Sequence, residues 1–302
     1  MGKVSSPGEG VTMASKAERI PVAKTYKIYI DGKFPRTESG RYFALEDSKG
    51  KVIANVCRGS RKDFRNAVVA ARKAQPGWAK ASAYLRGQIL YRIAEMLEGR
   101  RDQFISELVL QGVAPRAAGK EVDASIDRLI YFAGWADKYQ QVFSAVNPVS
   151  SSHFNFSILE PTGVVSMLAP NDSGLLGLIS NIAPTIVGGN TCVVLASETL
   201  PLSAVSFAEV LHASDVPAGV VNILTGYREE LTGQFASHMD VNAIVWCDGG
   251  KKTAGDVQRL AAENVKRVIR RTRIDWSSDD AGTPYLIRDT QEVKTTWHPV
   301  GV

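Results

Sequence analysis

The sequence predicts an α/β protein: a Rossmann-like, doubly wound parallel sheet with an N-terminal helical half and a small β flap. Three observations predict it. Short apolar runs alternate with helical stretches from residue 161 onward, apolar stripes at helical spacing fill residues 60–138, and two extended segments fit neither half. Strand–helix–strand alternation at this spacing is typical of a parallel sheet covered by helices on both faces.

Composition fits this fold class. The chain has 302 residues, of which 44% are hydrophobic and 22% charged, as expected for a soluble globular protein rather than a disordered or disulfide-stapled one. No apolar run approaches the ~20 residues that span a bilayer, and the N-terminus lacks the apolar core of a secretory signal. We therefore expect a cytoplasmic protein with no membrane partner. The three cysteines and four histidines never fall at metal-ligand spacing, so we expect no metal site.

The first part of the chain reads as a disordered tail, residues 1–24, followed by the first segment of the main domain, residues 25–147. Tyr26–Ile30 alternates at period two and runs into an Asp31-Gly32 turn. Two further extended stretches and four helices follow. The extended stretches are 41–45 and 52–56, and the helical stripes are 64–71 (after a capping box of Ser60 and Asp63), Leu85–Met96, Phe104–Leu108 and Ile126–Ala133.

Residues 161–274 complete the main domain with five apolar runs and four helices between them. The runs are Val164–Ala169, Thr191–Ala196, Val220–Leu224, Ala243–Trp246 and Arg267–Ile269. The helices cover about 175–188, 202–213, 228–237 and 251–264.

The flap is assigned to residues 148–160 and 285–302, joined to the main domain by a polar linker, residues 275–284. The extended segment 289–296 can pair with 152–160 in a small sheet. Val293, Thr295 and Trp297 share one strand face, and a partner that buries them is favoured over packing within the chain's own domain.

A basic cluster, Lys266–Arg273, is the densest in the chain. We interpret it as a solvated strand edge. A nucleotide-binding or nucleic-acid-binding patch is the less favoured alternative.

Several motifs resemble the aldehyde dehydrogenase superfamily, over about residues 25–271. They are Ala133–Lys138, Ile182–Pro184 with Gly189–Thr191, Pro217–Ile223 with Gly226, and Ala236–His238 with Asp240. Glu292–Thr295 resembles the C-terminal flap strand of ordinary members, which follows a whole catalytic domain. Here only the linker precedes it. The chain thus resembles a truncated form without the catalytic domain, similar to the second, non-catalytic unit of two-domain members in the sixteenth family.

The resemblance implies that the catalytic groups are missing. The family's nucleophilic cysteine lies in the absent domain, and Cys57, Cys192 and Cys247 fall on predicted strands, where apolar packing is the favoured role. Arg271 stands where the family has its general-base glutamate, and a guanidinium cannot accept a proton. Asp172 stands at the oxyanion-stabilising asparagine, with Asn171 one residue early, and a carboxylate there opposes the chemistry.

The positions that resemble cofactor contacts are Pro170, Glu198 and Gly226, which we take as vestigial. Leu195 replaces the lysine that accompanies the glutamate in binding the adenosine ribose. The turn that meets the pyrophosphate reads Asp248–Thr253, and Asp248 places a negative charge where phosphate would come, with Lys251 and Lys252 to offset it. We expect no cofactor, and NAD if there is one.

Our first hypothesis is a non-catalytic scaffold that forms homo-oligomers, or hetero-oligomers with a catalytic aldehyde dehydrogenase, through flap strands near Phe154, Phe156, Val293 and Trp297. The alternative is a subunit of a split NAD-dependent aldehyde dehydrogenase that contributes cofactor binding.

Overall fold

The computed structural model describes residues 24–247 and 251–301, so nearly all of the segment assigned as a tail lies outside the described residues. In chain order the strands are β1 (Thr25–Tyr26), β2 (Tyr42–Glu46), β3 (Val52–Cys57), β4 (Ala145–Asn147), β5 (His153–Pro161), β6 (Val164–Leu168), β7 (Thr191–Leu195), β8 (Val221–Leu224), β9 (Ala243–Trp246), β10 (Arg267–Arg270) and β11 (Gln291–Pro299). The α-helices are α1 (Arg61–Lys80), α2 (Ala83–Glu98), α3 (Arg101–Leu110), α4 (Pro115–Trp135), α5 (Tyr139–Phe143), α6 (Leu176–Val187), α7 (Leu202–His212), α8 (Arg228–Ser237), α9 (Lys251–Ala262) and α10 (Tyr285–Arg288).

The central element is a five-stranded parallel sheet in the order β10-β9-β6-β7-β8. Side chains alternate between its two faces. Val165 and Met167 pack with α2, α3, α4, α6 and α7, whereas Val164 and Leu168 pack with α1, α8 and α9. Every residue of β6, β7, β8 and β9 is buried, as expected for strands covered on both sides. The predicted doubly wound α/β fold is confirmed.

The helical half begins at the predicted capping box. Ser60 Oγ accepts from the Asp63 backbone N–H, and an Asp63 carboxylate oxygen accepts from the Ser60 N–H at 2.8 Å, which satisfies two N-terminal donors of α1. Two residues of the predicted core stripes, Leu85 and Ile130, are instead exposed. They line an open groove between α2 and α4, because only part of each apolar stripe faces the sheet.

The N-terminal strand is shorter than predicted. Only Thr25–Tyr26 forms a ladder, parallel to β3. Tyr29 instead bridges to Ile223 of β8, so the backbone leaves one sheet for the other within three residues. The turn at Asp31-Gly32 is present, with φ of 53° and 71°, and closes a bridge between Ile30 and Lys33.

The flap is a three-stranded antiparallel sheet in the order β11-β5-β4. The predicted pairing of the two flap segments is confirmed, since β11 pairs with β5 along all nine residues, from Gln291 opposite Pro161 to Pro299 opposite His153. The predicted boundary at residue 148 is wrong. Ala145–Asn147 already pairs with β5, because the chain turns back on itself directly after α5.

The segment assigned as a polar linker, residues 275–284, is instead packed onto the domain. Trp276 and Ala281 are buried against Leu176. Arg128, itself buried in α4, donates to the carbonyl oxygens of Trp276, at 3.2 Å, and Ala281. The prediction failed because the polar residues around Trp276 outnumber the few apolar side chains that anchor the segment.

Candidate functional site

The candidate site lies at the carboxyl edge of the parallel sheet, where ligands bind in open α/β sheets. The three sequence-predicted cofactor positions all lie there. Pro170 follows β6, Glu198 follows β7 and Gly226 follows β8. The turn at Asp248–Gly250, after β9, lies outside the described residues, as do the side chains of Lys251 and Lys252.

Hydrogen bonds join the three loops directly. The Asn171 side-chain oxygen accepts from the Glu198 N–H at 2.8 Å, which connects the loops after β6 and β7. The Glu198 carboxylate in turn accepts from the Arg228 N–H, at the first residue of α8, at 3.2 Å. A carboxylate at a helix N-terminus is stabilised by the helix dipole. Glu198 therefore has a structural role in this chain, in addition to any contact with a ligand.

Arg228 is the residue at this edge that sequence reasoning missed. Its side chain is 7% exposed, and its guanidinium donates to the carbonyl oxygen of Ala169, directly after β6. The arginine therefore places a fixed positive charge at the carboxyl end of β6. Only its position two residues after Gly226 of the family-like motif could have drawn attention to it.

Gly226 has a geometric reason to be glycine. Its φ is 153°, and an added Cβ would lie 3.2 Å from the Gly59 nitrogen. The Gly59 N–H donates to the Thr225 carbonyl at 2.7 Å, so the loop after β8 is held against the end of β3. Close backbone approach accounts for this glycine without any ligand.

The cysteines lie in apolar surroundings. Cys57 and Cys192 are buried on β3 and β7, and burial raises the pKa of the Cys192 thiol well above its usual range. Cys247 corrects the prediction, because it lies directly after β9, at the carboxyl edge. Burial raises its pKa to about 12, although Arg271 and Arg228 act in the opposite direction. Neither Cys192 nor Cys247 is therefore poised as a thiolate nucleophile at neutral pH.

Arg271, which the sequence resemblance matches to the general-base glutamate, is 3% exposed, and its two terminal nitrogens bind within the chain. It donates to the Asn181 side-chain oxygen at 2.8 Å, to the Leu286 carbonyl at 3.3 Å and to Asp289 at 3.1 Å. It therefore connects α6 to the segment that leads into β11. Neither its charge nor its hydrogen bonds allow it to take a proton from a reacting group.

The basic cluster around Arg271 is only partly a solvated strand edge, because Arg270 and Arg273 are exposed whereas Arg271 is buried. Lys266 is also buried, and its ammonium donates to the carbonyl oxygens of Ala236, at 2.8 Å, and His238, at 3.0 Å. Arg267 binds Glu292 at 2.9 Å, and Arg270 lies over the Trp246 ring at 5.5 Å. These intramolecular contacts account for four of the five cations and reduce the case for a nucleic-acid patch.

Asp172, at the oxyanion-asparagine position, is exposed and lines a cavity of about 370 Å³. Glu121 of α4 and Trp276 line it as well. The Glu121 carboxylate accepts from Ser173 Oγ at 2.7 Å and from the Leu175 N–H at 2.9 Å, so the N-terminus of α6 is already capped by an acidic side chain. The negative charges of Asp172 and Glu121 oppose stabilisation of an oxyanion at this cavity.

Across residues 24–247 and 251–301, no group of three or more His, Cys, Asp or Glu side chains could hold a metal ion. Over the same residues, no helix is long and apolar enough to cross a membrane.

Comparison with known proteins agrees with the α/β fold described above. Residues 35–271 match the model of the aldehyde dehydrogenase family. The 2-hydroxymuconic semialdehyde dehydrogenase of Pseudomonas sp. (strain CF600) is 34% identical over 253 residues, which cover 81% of this chain and 51% of that protein. The mitochondrial benzaldehyde dehydrogenase of Antirrhinum majus is 33% identical over 282 residues, 88% of this chain and 52% of that protein.

Solved structures give the same result. The NAD+ complex of an aldehyde dehydrogenase from Bacillus cereus superposes with a TM-score of 0.78 at 26% identity, covering 82% of this chain and 51% of that one. PnpE from Pseudomonas sp. WBC-3 superposes with a TM-score of 0.77 at 28% identity, covering 82% and 50%. The chain thus spans about half the length of the relatives it matches.

Proposed function

Because this chain belongs to the aldehyde dehydrogenase family, we propose that it is a non-catalytic scaffold subunit that assembles through its flap and has a catalytic aldehyde dehydrogenase among its partners. The observation that carries the proposal is Arg271. An aldehyde dehydrogenase needs a thiolate and a group that accepts a proton, and the base position here holds a buried cation that binds Asn181 and Asp289.

The connection after Arg271 supports the same proposal. The last strand of the parallel sheet ends at Arg270, and the flap strand begins at Gln291. The residues between them are folded back onto α4 and α6 by Arg128 and Arg271. In the full-length members that this chain resembles, a catalytic domain lies between these two strands. The chain spans about half the length of its relatives, which agrees with this interpretation.

The flap supplies the surface for assembly. Phe154 and Phe156 stack together with ring centroids 5.5 Å apart on one face, which also carries Val146 and Ile158. Val293 and Trp297 lie on the opposite face, and their exposed fractions are 62% and 57%. Large apolar side chains grouped on a small sheet in this way are typical of an interaction site.

The test is to purify the full chain with a full-length aldehyde dehydrogenase encoded in the same genome, alone and mixed, and to measure native mass and NAD-dependent aldehyde oxidation. We expect no turnover by the chain alone and a mixed complex. The Val293→Lys variant should weaken that complex. The matched control is Val69→Lys on α1, because Val69 is 60% exposed and lies outside the flap. Turnover by the chain alone, abolished by replacing one of its own cysteines, would refute the proposal.

The competing function is a subunit of a split enzyme that contributes NAD binding. The retained Glu198 and the likeness to an NAD+ complex favour it. Calorimetric titration with NAD separates the two. The scaffold proposal predicts no heat at millimolar cofactor, whereas the split enzyme predicts binding that Glu198→Gln weakens.

A further inference from the structure

Strand β11 lies at an edge of the flap sheet, and its hydrogen bonds reveal which of its residues face outward. Thr290, just before it, accepts from the Thr162 N–H at 3.2 Å, and Val300, just after it, donates to the Ser152 carbonyl at 3.1 Å. Residues of an antiparallel strand alternate between bonding to the partner and facing away from it. Even-numbered residues of β11 therefore bond to β5, and odd-numbered residues direct their N–H and C=O groups to the free edge.

The free edge of β11 is open. Residues 292–295 and 297–299 are exposed. The residues whose backbone groups face this edge are Gln291, Val293, Thr295, Trp297 and Pro299. Gln291 is 2% exposed and its carbonyl accepts from Arg267, so the open part of the edge begins at Glu292. An open strand edge is a template for another strand.

We propose that two copies of this chain pair through β11, antiparallel and centred on Thr295, to form a six-stranded sheet across the two flaps. The inference rests on the proposed assembly role and specifies one partner as a second copy. A two-fold axis perpendicular to the sheet makes the two β11 strands antiparallel and leaves the same face of both flaps on the same side. Such an axis at Thr295, the middle of Gln291–Pro299, sets residues 292–298 of the two copies opposite one another.

The backbone groups match in this register. Thr295 bonds to Thr295 of the second copy, and Val293 exchanges both hydrogen bonds with Trp297 of that copy. Gln291 and Pro299 lie beyond the paired residues, because Gln291 is buried with its carbonyl accepting from Arg267 and Pro299 has no N–H to offer.

The side chains match as well. Val293 lies opposite Trp297 of the second copy, so the pairing covers two large apolar side chains that are exposed on one face of the single chain. Aromatic–β-branched pairs across strands are stabilising. On the other face, Lys294 lies opposite Thr296 and Glu292 opposite His298, so no like charges meet.

Neighbouring registers are worse. Centring the pair on Lys294 sets two ammonium groups opposite each other, and like charges directly opposite are destabilising. Centring it on Thr296 separates Val293 from Trp297 and places Val293 opposite Pro299. The register centred on Lys294 also pairs fewer residues of the open edge than the register centred on Thr295.

The first test is cysteine cross-linking of the full chain under mild oxidation. Directly opposite residues have Cα atoms about 4.5–5.5 Å apart, within disulfide range, whereas diagonal neighbours are at about 7–8 Å. We expect Thr295→Cys to form a covalent dimer. Thr296→Cys alone should not, but mixed with Lys294→Cys it should. The parent protein, which contains Cys57, Cys192 and Cys247, sets the background.

The second test is a charge swap read by native mass. The parent should have twice the 32.7 kDa mass of the chain. In Val293→Lys/Trp297→Lys each new lysine faces a lysine of the second copy, so we expect monomer. In Val293→Glu/Trp297→Lys each glutamate faces a lysine, so we expect the dimer to return.

A monomeric parent, no Thr295→Cys cross-link, or equal masses for the two double variants would overturn the inference. None of these outcomes bears on turnover of aldehyde by the isolated chain, which tests the proposed function separately.

Discussion

Replacement of Arg128 by methionine tests whether the segment after Arg271 is held by the arginine contacts. Arg128 is 9% exposed and donates to Ser180 Oγ at 2.8 Å and to the carbonyl oxygens of Trp276 and Ala281. Methionine is similar in length but has no donor. The substitution therefore removes the hydrogen bonds while keeping most of the apolar contact of the side chain.

The expected loss of stability follows from those bonds. Each buried acceptor left without a donor costs about 1–3 kcal/mol, so the two carbonyls together account for about 2–6 kcal/mol. Part of this loss is offset, because burial disfavours the charged guanidinium and lowers the pKa of Arg128, and methionine removes that buried charge. We expect the free energy of unfolding to fall by about 3 kcal/mol, which lowers Tm by about 6 °C at roughly 2 °C per kcal/mol for a chain of this size.

The assay is thermal unfolding followed by circular dichroism, with limited proteolysis to map cleavage within residues 272–290. Arg101→Met is the matched control. Arg101 binds Asp123 at 2.6 Å, but both side chains are more than a third exposed, so solvent screens this pair and its loss should change stability little. If Arg128→Met lost no more stability than Arg101→Met, the contacts of Arg128 would not hold the segment in place.

Three further predictions address single groups. Because the pKa of Cys247 is about 12, its thiolate fraction at pH 8 is about a thousandfold below that of an ordinary cysteine, and alkylation of the native protein, read by mass spectrometry, should be correspondingly slow. Rapid labelling would contradict this. Burial lowers the pKa of Lys266 to about 8. Between pH 8 and about 10.4 the unfolded chain then binds the proton that the folded chain has lost, so stability should rise with pH in that window, and Lys266→Met should remove the rise. Gly219→Ala should cost about 1–3 kcal/mol in denaturant unfolding, because its φ is 85° and the new Cβ would lie 2.6 Å from the Ala70 carbonyl oxygen, whereas Gly233→Ala, in open space on α8, should stabilise by about 0.5–1 kcal/mol. Equal effects at the two glycines would contradict the reasoning.

The parallel sheet could be predicted because its signal is local. Cys192–Leu195 is apolar at every position, as expected for a strand buried on both faces, and helical stripes follow it at regular intervals. The pairing of the two flap strands was also predictable, since both alternate and both fit neither half. Their register along nine residue pairs needed the structure.

The parts that could not be predicted depend on contacts between residues far apart in sequence. Arg128 and Trp276 are separated by most of the parallel sheet, and nothing near either residue in sequence indicates that they meet. Lys266 and Arg271 were interpreted as solvated because cations usually are. Their burial depends on carbonyl and amide oxygens supplied by α6, by the end of α8 and by the segment before β11.

Gln291 has one further consequence for the molecule as a whole. Its side chain donates to the Gly188 carbonyl at 3.2 Å, and its own carbonyl accepts from Arg267 of β10. The first residue of β11 is thus anchored to the loop after α6 and to the outermost strand of the parallel sheet. Rotation of the flap about its base is resisted at two separate points, so a protein docked along β11 takes a fixed orientation relative to the parallel sheet.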